Sequence, residues 1–139
     1  MQLYLDSCVL SYALEGYGNL RRHTLNQLQH YSGDDWVISD LVRLECLLSP
    51  MRRGDQMRLL AFRRIFADCR IIPLSSAVID RSAEIRAAAP LPMAEAIHLA
   101  AAELGGCEAL LTNDKSFLLK DPPVAVLRLD QVASRQTCG

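Results

Sequence analysis

MAEAIHLAAAELGGCEALLTND, residues 93–114, carries the alternation that decides the fold. Between residues 96 and 102 only His98 is polar, so this stretch predicts a helix that is apolar nearly all round and therefore central. Gly105-Gly106 is a helix stop. Ala109, Leu110 and Leu111 then read as a short buried strand. A helix, a glycine stop and an apolar strand in direct succession are half of a parallel α/β unit.

The same alternation continues outward on both sides. Towards the N-terminus, Gln2 to Leu5 and residues 36–38 read as strands. Residues 7–14 and 20–31 read as helices, the second ending near Ser32-Gly33-Asp34. Ser39 is an N-cap for a helix running to about Leu48, after which Pro50 and Gly54 break the chain. Leu59, Phe62, Phe66 and Cys69 recur at helical spacing within 55–69. Residues 70–73 form a brief strand, and Ser75 or Ser76 caps a helix through about Ala88. Beyond the central segment, 115–119 predicts a helical turn and 124–127 a last strand. The expectation is a single α/β domain over residues 1–139, with a mainly parallel sheet of four to five strands covered on both faces.

Bulk composition narrows the function classes. The 139 residues are half apolar, enough for a proper core, and no apolar run approaches the ~18 residues of a membrane span. The N-terminal apolar run is too short, and too soon acidic, for a signal peptide. Five scattered cysteines (Cys8, Cys46, Cys69, Cys107, Cys138) without a C-x-x-C pair indicate reduced thiols in a cytoplasmic protein, and argue against zinc. A net charge of −1 argues against coating nucleic acid by bulk charge. Fifteen residues are basic, and Lys115 and Lys120 are the only lysines among them; six arginines lie between Arg52 and Arg70. These suit phosphate or carboxylate contacts, and equally a solvated helix face.

Four acids sit beside strongly apolar runs: Asp6, Glu45, Glu95 and Asp114. A buried carboxylate persists when it is paired, hydrogen-bonded or bound to a cation. Asp6 and Asp114 follow strands, at the edge where parallel sheets bind ligands; an N-cap and an Asn-Asp turn would also explain them. On a helical wheel Glu45 falls inside the arc running from Leu44 through Leu48 and Leu41 to Val42, with Arg43 opposite. A core Glu paired with a buried Arg is its alternative. Glu95 opens the 93–104 helix, where a negative charge is also favourable on dipole grounds. His98 reads as a satisfied core histidine or a support behind a ligand, and His23 and His30 as surface positions. Four oxygen donors select Mg²⁺ or Mn²⁺, and Ser7, Thr112 and Asn113 offer supporting hydrogen bonds beside them.

"YLDSCVLSYALEG" at 4–16, "ISDLVRLECLL" at 38–48 and "LPMAEAIHLAAAELGGCEALLTND" at 91–114, in that order, resemble a PIN domain. More narrowly they resemble the VapC-type toxin of type II toxin–antitoxin systems. The resemblance spans nearly the whole chain and implies a three-layer α/β/α fold and a Mg²⁺- or Mn²⁺-dependent endoribonuclease. It also implies cleavage to 5′-phosphate and 3′-hydroxyl ends, inhibition by a small cognate antitoxin, and a homodimer or a heteromer with that antitoxin. By motif position the acids are Asp6, Glu45, Glu95 and Asp114, with Thr112 as a supporting hydroxyl.

One departure stands out. Glu95 occupies a position that is usually Asp in the family, commonly after a Pro that is here Ala94. The added methylene matters for Mg²⁺, whose oxygen ligands lie at about 2.0–2.1 Å. The alternative function is therefore a catalytically impaired PIN-like module that works by binding protein. A receiver-like phosphoacceptor needs adjacent acids after the first strand, where this chain has Asp6-Ser7.

Overall fold

The computed structural model describes residues 2–16, 18–30, 35–117 and 119–129. Its elements run β1 (Gln2–Leu5), α1 (Ser7–Glu15), α2 (Gly18–His30), β2 (Asp35–Ser39), α3 (Asp40–Arg53), α4 (Gln56–Ala67), β3 (Arg70–Ile72), α5 (Ser76–Ala88), α6 (Met93–Leu104), β4 (Ala109–Thr112) and β5 (Ala125–Arg128). A 3₁₀ turn, Lys115–Phe117, follows β4. The strands form one sheet in the order β3-β2-β1-β4-β5, and every pairing is parallel.

Three fully buried residues in succession, Leu3, Tyr4 and Leu5, show why these strands lack a polar–apolar alternation: both faces are covered. All four residues of β4 are likewise buried. Right-handed crossovers carry α1–α4 over one face and return α5 and α6 over the other, giving three layers, α/β/α. The packing follows: α3 lies on β2 and against α1 and α4, while α6 lies on β2 and β4 and against α5.

Ser39 and Ser75 cap α3 and α5 as expected, accepting from Val42 N–H and Val78 N–H. The expected break at Pro50 does not occur. Helix α3 runs through Pro50 to Arg53 and ends at Gly54, whose φ of 66° is left-handed and free of strain only for glycine. Pro50 is buried, and the carbonyl of Cys46 forgoes its helical donor there.

The wheel of α3 also needs correcting. Val42, Cys46 and Pro50 face the core, whereas Leu44, Leu48 and Met51 are 59%, 44% and 51% exposed. The leucine arc points outward, and Glu45 stands on its border with the buried face. Glu45 pairs with a histidine, not an arginine.

The arginines of 52–70 divide. Arg53 and Arg58 pair with Glu15, Arg58 also donates to the Leu14 carbonyl, and Arg70 donates to Gln2 and the Gly105 carbonyl. These tie α3, α4 and β3 to their neighbours, while Arg52, Arg63 and Arg64 are exposed. Cys8, Cys46, Cys69 and Cys107 are free thiols. His23 is exposed; the helix end near Ser32-Gly33-Asp34, the His30 side chain and Cys138 lie outside the described residues. Among the described residues no helix is long and apolar enough to cross a membrane.

Candidate active site

The sheet order reverses between β1 and β4, because the chain moves outward from β1 to β3 and then returns to the other side of β1. The carboxyl ends of β1 and β4 therefore border the crevice where open parallel sheets bind ligands. Leu5 pairs with Leu111, which sets Asp6 beside Thr112. Asp6 N–H donates to the Leu111 carbonyl at 3.0 Å, continuing the ladder by one bond. Helices run antiparallel to the strands here, so the first turn of α6 arrives at the same edge and brings Glu95 with it.

Asp6 is 5% exposed and its carboxylate is well supplied with donors. Ser7 N–H donates to Oδ1 at 2.8 Å, and Thr112 Oγ1 and Cys8 Sγ donate to Oδ2 at 2.7 and 3.3 Å. The Cys8 thiol can play donor because burial, with the Asp6 charge beside it, pushes it up to about 12. Thr112 Oγ1 also accepts from Asp114 N–H at 3.0 Å, so one hydroxyl links the two strand-end acids. Asp114 in turn accepts from the Ser116 hydroxyl at 2.6 Å and the Ser116 N–H at 2.9 Å.

On the other side of Asp6, Glu45 Oε1 lies 2.7 Å from His98 Nε2, and Asp6 Oδ1 lies 3.7 Å from the same nitrogen. Ligand atoms of Asp6, Glu45 and His98 fall within 4.8 Å of one another. Glu95 completes the group from the α6 side, next to Asp114. Its carboxyl is held above the ordinary glutamate range, first by desolvation and then by the charges of Asp114 and Asp6. Asp114 moves the opposite way, lowered chiefly by the Ser116 hydroxyl and N–H, with the Glu95 carboxyl adding a smaller pull.

These donors suit a hard divalent cation. Asp6, Glu45, Glu95 and Asp114 present only oxygen, and Glu95 Oε2 is buried with no hydrogen-bond partner among the described residues. Mutually repelling carboxyls and an orphaned oxygen are what a cation would relieve. Ser7 contributes its backbone N–H to Asp6. Asn113 turns its side chain to Tyr12, not to an acid.

The sequence profile of the PIN domain family matches residues 3–121. The chain belongs to the PIN domain family.

Solved structures agree on the fold. A toxin–antitoxin complex from Klebsiella pneumoniae superposes with a TM-score of 0.75 at 23% identity, covering 91% of this chain and 97% of that one. FitAcB from Neisseria gonorrhoeae gives 0.74 at 22%, with the same coverages. VapC20 from Mycobacterium tuberculosis, described as a toxin cleaving the sarcin–ricin loop, gives 0.64 at 12%, covering 78% and 86%. At these identities the likeness is one of fold. No curated protein matches the chain in sequence.

In this PIN domain Asp6 groups with Glu45 and His98, Thr112 links it to Asp114, and Glu95 feels the charges of Asp6 and Asp114 from α6. Three supporting residues were not foreseen: Tyr4, Cys8 and Ser116. Ser116 had a readable signal, since Asp-x-Ser after a strand invites a side-chain-to-backbone turn. Tyr4 and Cys8 had none, because both lie in apolar runs that read as core.

The shifts at Glu95 and Asp114 fix a pH dependence. Glu95's folded value is raised, so its contribution to stability is complete below the ordinary glutamate range and is lost as pH rises through that folded value. Asp114's value is lowered, so its contribution is present above the ordinary aspartate range and is lost as pH falls through the lowered one. Glu95→Gln should therefore raise the melting temperature in EDTA at about pH 7.5, and the gain should disappear near pH 4. Melting curves at the two pH values check it; a lower melting temperature at pH 7.5 would show the charge already compensated.

Proposed function

We propose that the chain is a divalent-metal-dependent endoribonuclease and the toxin half of a toxin–antitoxin pair, acting in the cytoplasm. The observation that carries this reading is the meeting of Asp6, Glu45, Glu95 and Asp114 at the sheet's switch point, with Glu95 Oε2 buried and unpartnered. Those four residues would hold Mg²⁺ or Mn²⁺. Bound there, such an ion supplies an activated water and neutralises charge at the scissile phosphodiester. Thr112 keeps Asp6 and Asp114 in register, Ser116 holds Asp114 ionised, and the Ser7 N–H aims Asp6.

Two observations support the partner half of the reading. The Klebsiella structure, which superposes with a TM-score of 0.75, is described as a toxin–antitoxin complex. Large apolar side chains also stand exposed at Leu44, Leu48 and Met51 on α3 and at Met57 and Leu60 on α4. A surface of that kind is ordinarily covered by protein, here a small antitoxin or a second copy of the chain.

Incubating the purified protein with RNA in EDTA, Mg²⁺ or Mn²⁺ tests the activity. The expected result is internal cleavage only with the cation, leaving 5′-phosphate ends. Expression alone should arrest growth, and the short open reading frame beside its gene should relieve the arrest. Glu95 in place of the usual Asp favours the second reading, a protein-binding module with an impaired site. Absence of both cleavage and cation-dependent stabilisation would select it.

A further inference from the structure

Glu45 is the most exposed of the four acids. Its side chain is 34% exposed, it stands beside the outward-facing leucines of α3, and among the described residues no arginine or lysine pairs with it. What holds it comes from the opposite layer. His98, on α6 and 1% exposed, places Nε2 at 2.7 Å from Glu45 Oε1, while Nδ1 lies 2.7 Å from the Tyr4 hydroxyl.

Both ring nitrogens are thus fixed, so the imidazole cannot turn without losing a bond. The Tyr4 and His98 rings pack edge-on with centroids 5.8 Å apart, and Phe117 backs the imidazole at 6.2 Å. The Tyr4 hydroxyl also bonds Ser39 Oγ at 2.7 Å, and Ser39 Oγ accepts from Val42 N–H at the start of α3. The hydrogen bonds therefore form a closed circuit: from the cap of α3, through β1, to α6, and back to Glu45 on α3.

We propose that Tyr4 and His98 are positioning residues that hold Glu45 for cation binding, with His98 acting through the carboxylate and not as a ligand. This rests on the metal-site reading above. A carboxylate only accepts, so the His98 nitrogen facing it carries hydrogen and has no lone pair to offer an ion. The arrangement is the imidazole–carboxylate support that outer-shell groups give to metal sites. It binds the one acid that α3 alone leaves loose, and it makes a fully buried tyrosine in the central strand part of the site.

Mn²⁺ is the probe, read by thermal shift and by electron paramagnetic resonance on the full chain. Wild type should gain stability with Mn²⁺. His98→Leu should raise the half-saturating Mn²⁺ concentration by about 10–100-fold. His98→Gln, which keeps an N–H near the Nε2 position, should recover most of that loss, and Tyr4→Phe should shift the midpoint in the same direction by less. The wild-type Mn²⁺ spectrum should show no directly coordinated nitrogen.

An unchanged midpoint in His98→Leu, or a directly bound nitrogen, overturns the proposal. If His98→Leu does not fold, Tyr4→Phe decides, and an unchanged midpoint there overturns it equally. Absence of any Mn²⁺ response in wild type removes the metal-site reading itself, a failure visible before any variant is compared.

Discussion

Asp6→Asn is expected to lower cation-dependent RNA cleavage by at least about a thousand-fold, beyond the ~10–100-fold typical of changes to groups that only support a ligand. Asp6 is the acid common to both halves of the site: Glu45 and His98 lie on one side, Glu95 and Asp114 on the other. Asparagine has the same shape and still offers an oxygen to the Ser7 N–H, so α1 keeps its cap. What it loses is the charge, and it turns an N–H₂ towards a site built to receive a cation. Melting in EDTA should stay within about 1 kcal/mol of wild type, the scale of a cap, while Mn²⁺-dependent stabilisation disappears. Cleavage by Asp6→Asn at the wild-type rate would remove Asp6, and with it the proposed centre.

Leu110→Ala is expected to cost about 2–5 kcal/mol, the usual range for a large-to-small change in a packed core. Leu110 is fully buried in β4, which pairs with β1 on one side and β5 on the other and is covered by helices on both faces. With a urea dependence of about 1–3 kcal/mol per molar, the unfolding midpoint should fall by roughly 1–2 M with little change in slope. Because β4 also carries Thr112 between the two strand-end acids, the native fraction that remains should retain its cation response. A midpoint within experimental error of wild type would mean that β4 is less tightly packed than its burial indicates.

Much of this was legible in the chain. The runs Leu3-Tyr4-Leu5, Val37-Ile38 and Ala109-Leu110-Leu111 marked strands buried on both faces, and Ser39, Ser75 and Gly105-Gly106 marked helix ends, because caps and stops act locally. The strand ends alone placed Asp6 and Asp114 at the carboxyl edge of the sheet. Glu45 was picked out for a reason that only half survives: its wheel position beside leucines is real, yet those leucines face outward. Hydrophobicity along a helix does not distinguish a core face from a face that meets another protein. The length of α3 was misjudged because a buried proline was tolerated late in the helix, where Gly54 supplies the actual stop. Tyr4 was invisible as a site residue, since a tyrosine in an apolar strand reads as filling, and only tertiary contact reveals where its hydroxyl points.

The strand order has a consequence for how the protein is made. β4 takes its place beside β1, yet more than a hundred residues of synthesis separate the first acid from the last, Asp6 from Asp114. At ribosomal speeds of about 5–20 residues per second, β1 waits on the order of five to twenty seconds with one edge open. Throughout that interval Asp6 has no Thr112 and no Asp114 beside it. A polypeptide cut short before β4 has neither Thr112 nor Asp114 and leaves one edge of β1 unpaired, so the proposed cation site would lack its second strand-end acid until β4 is made.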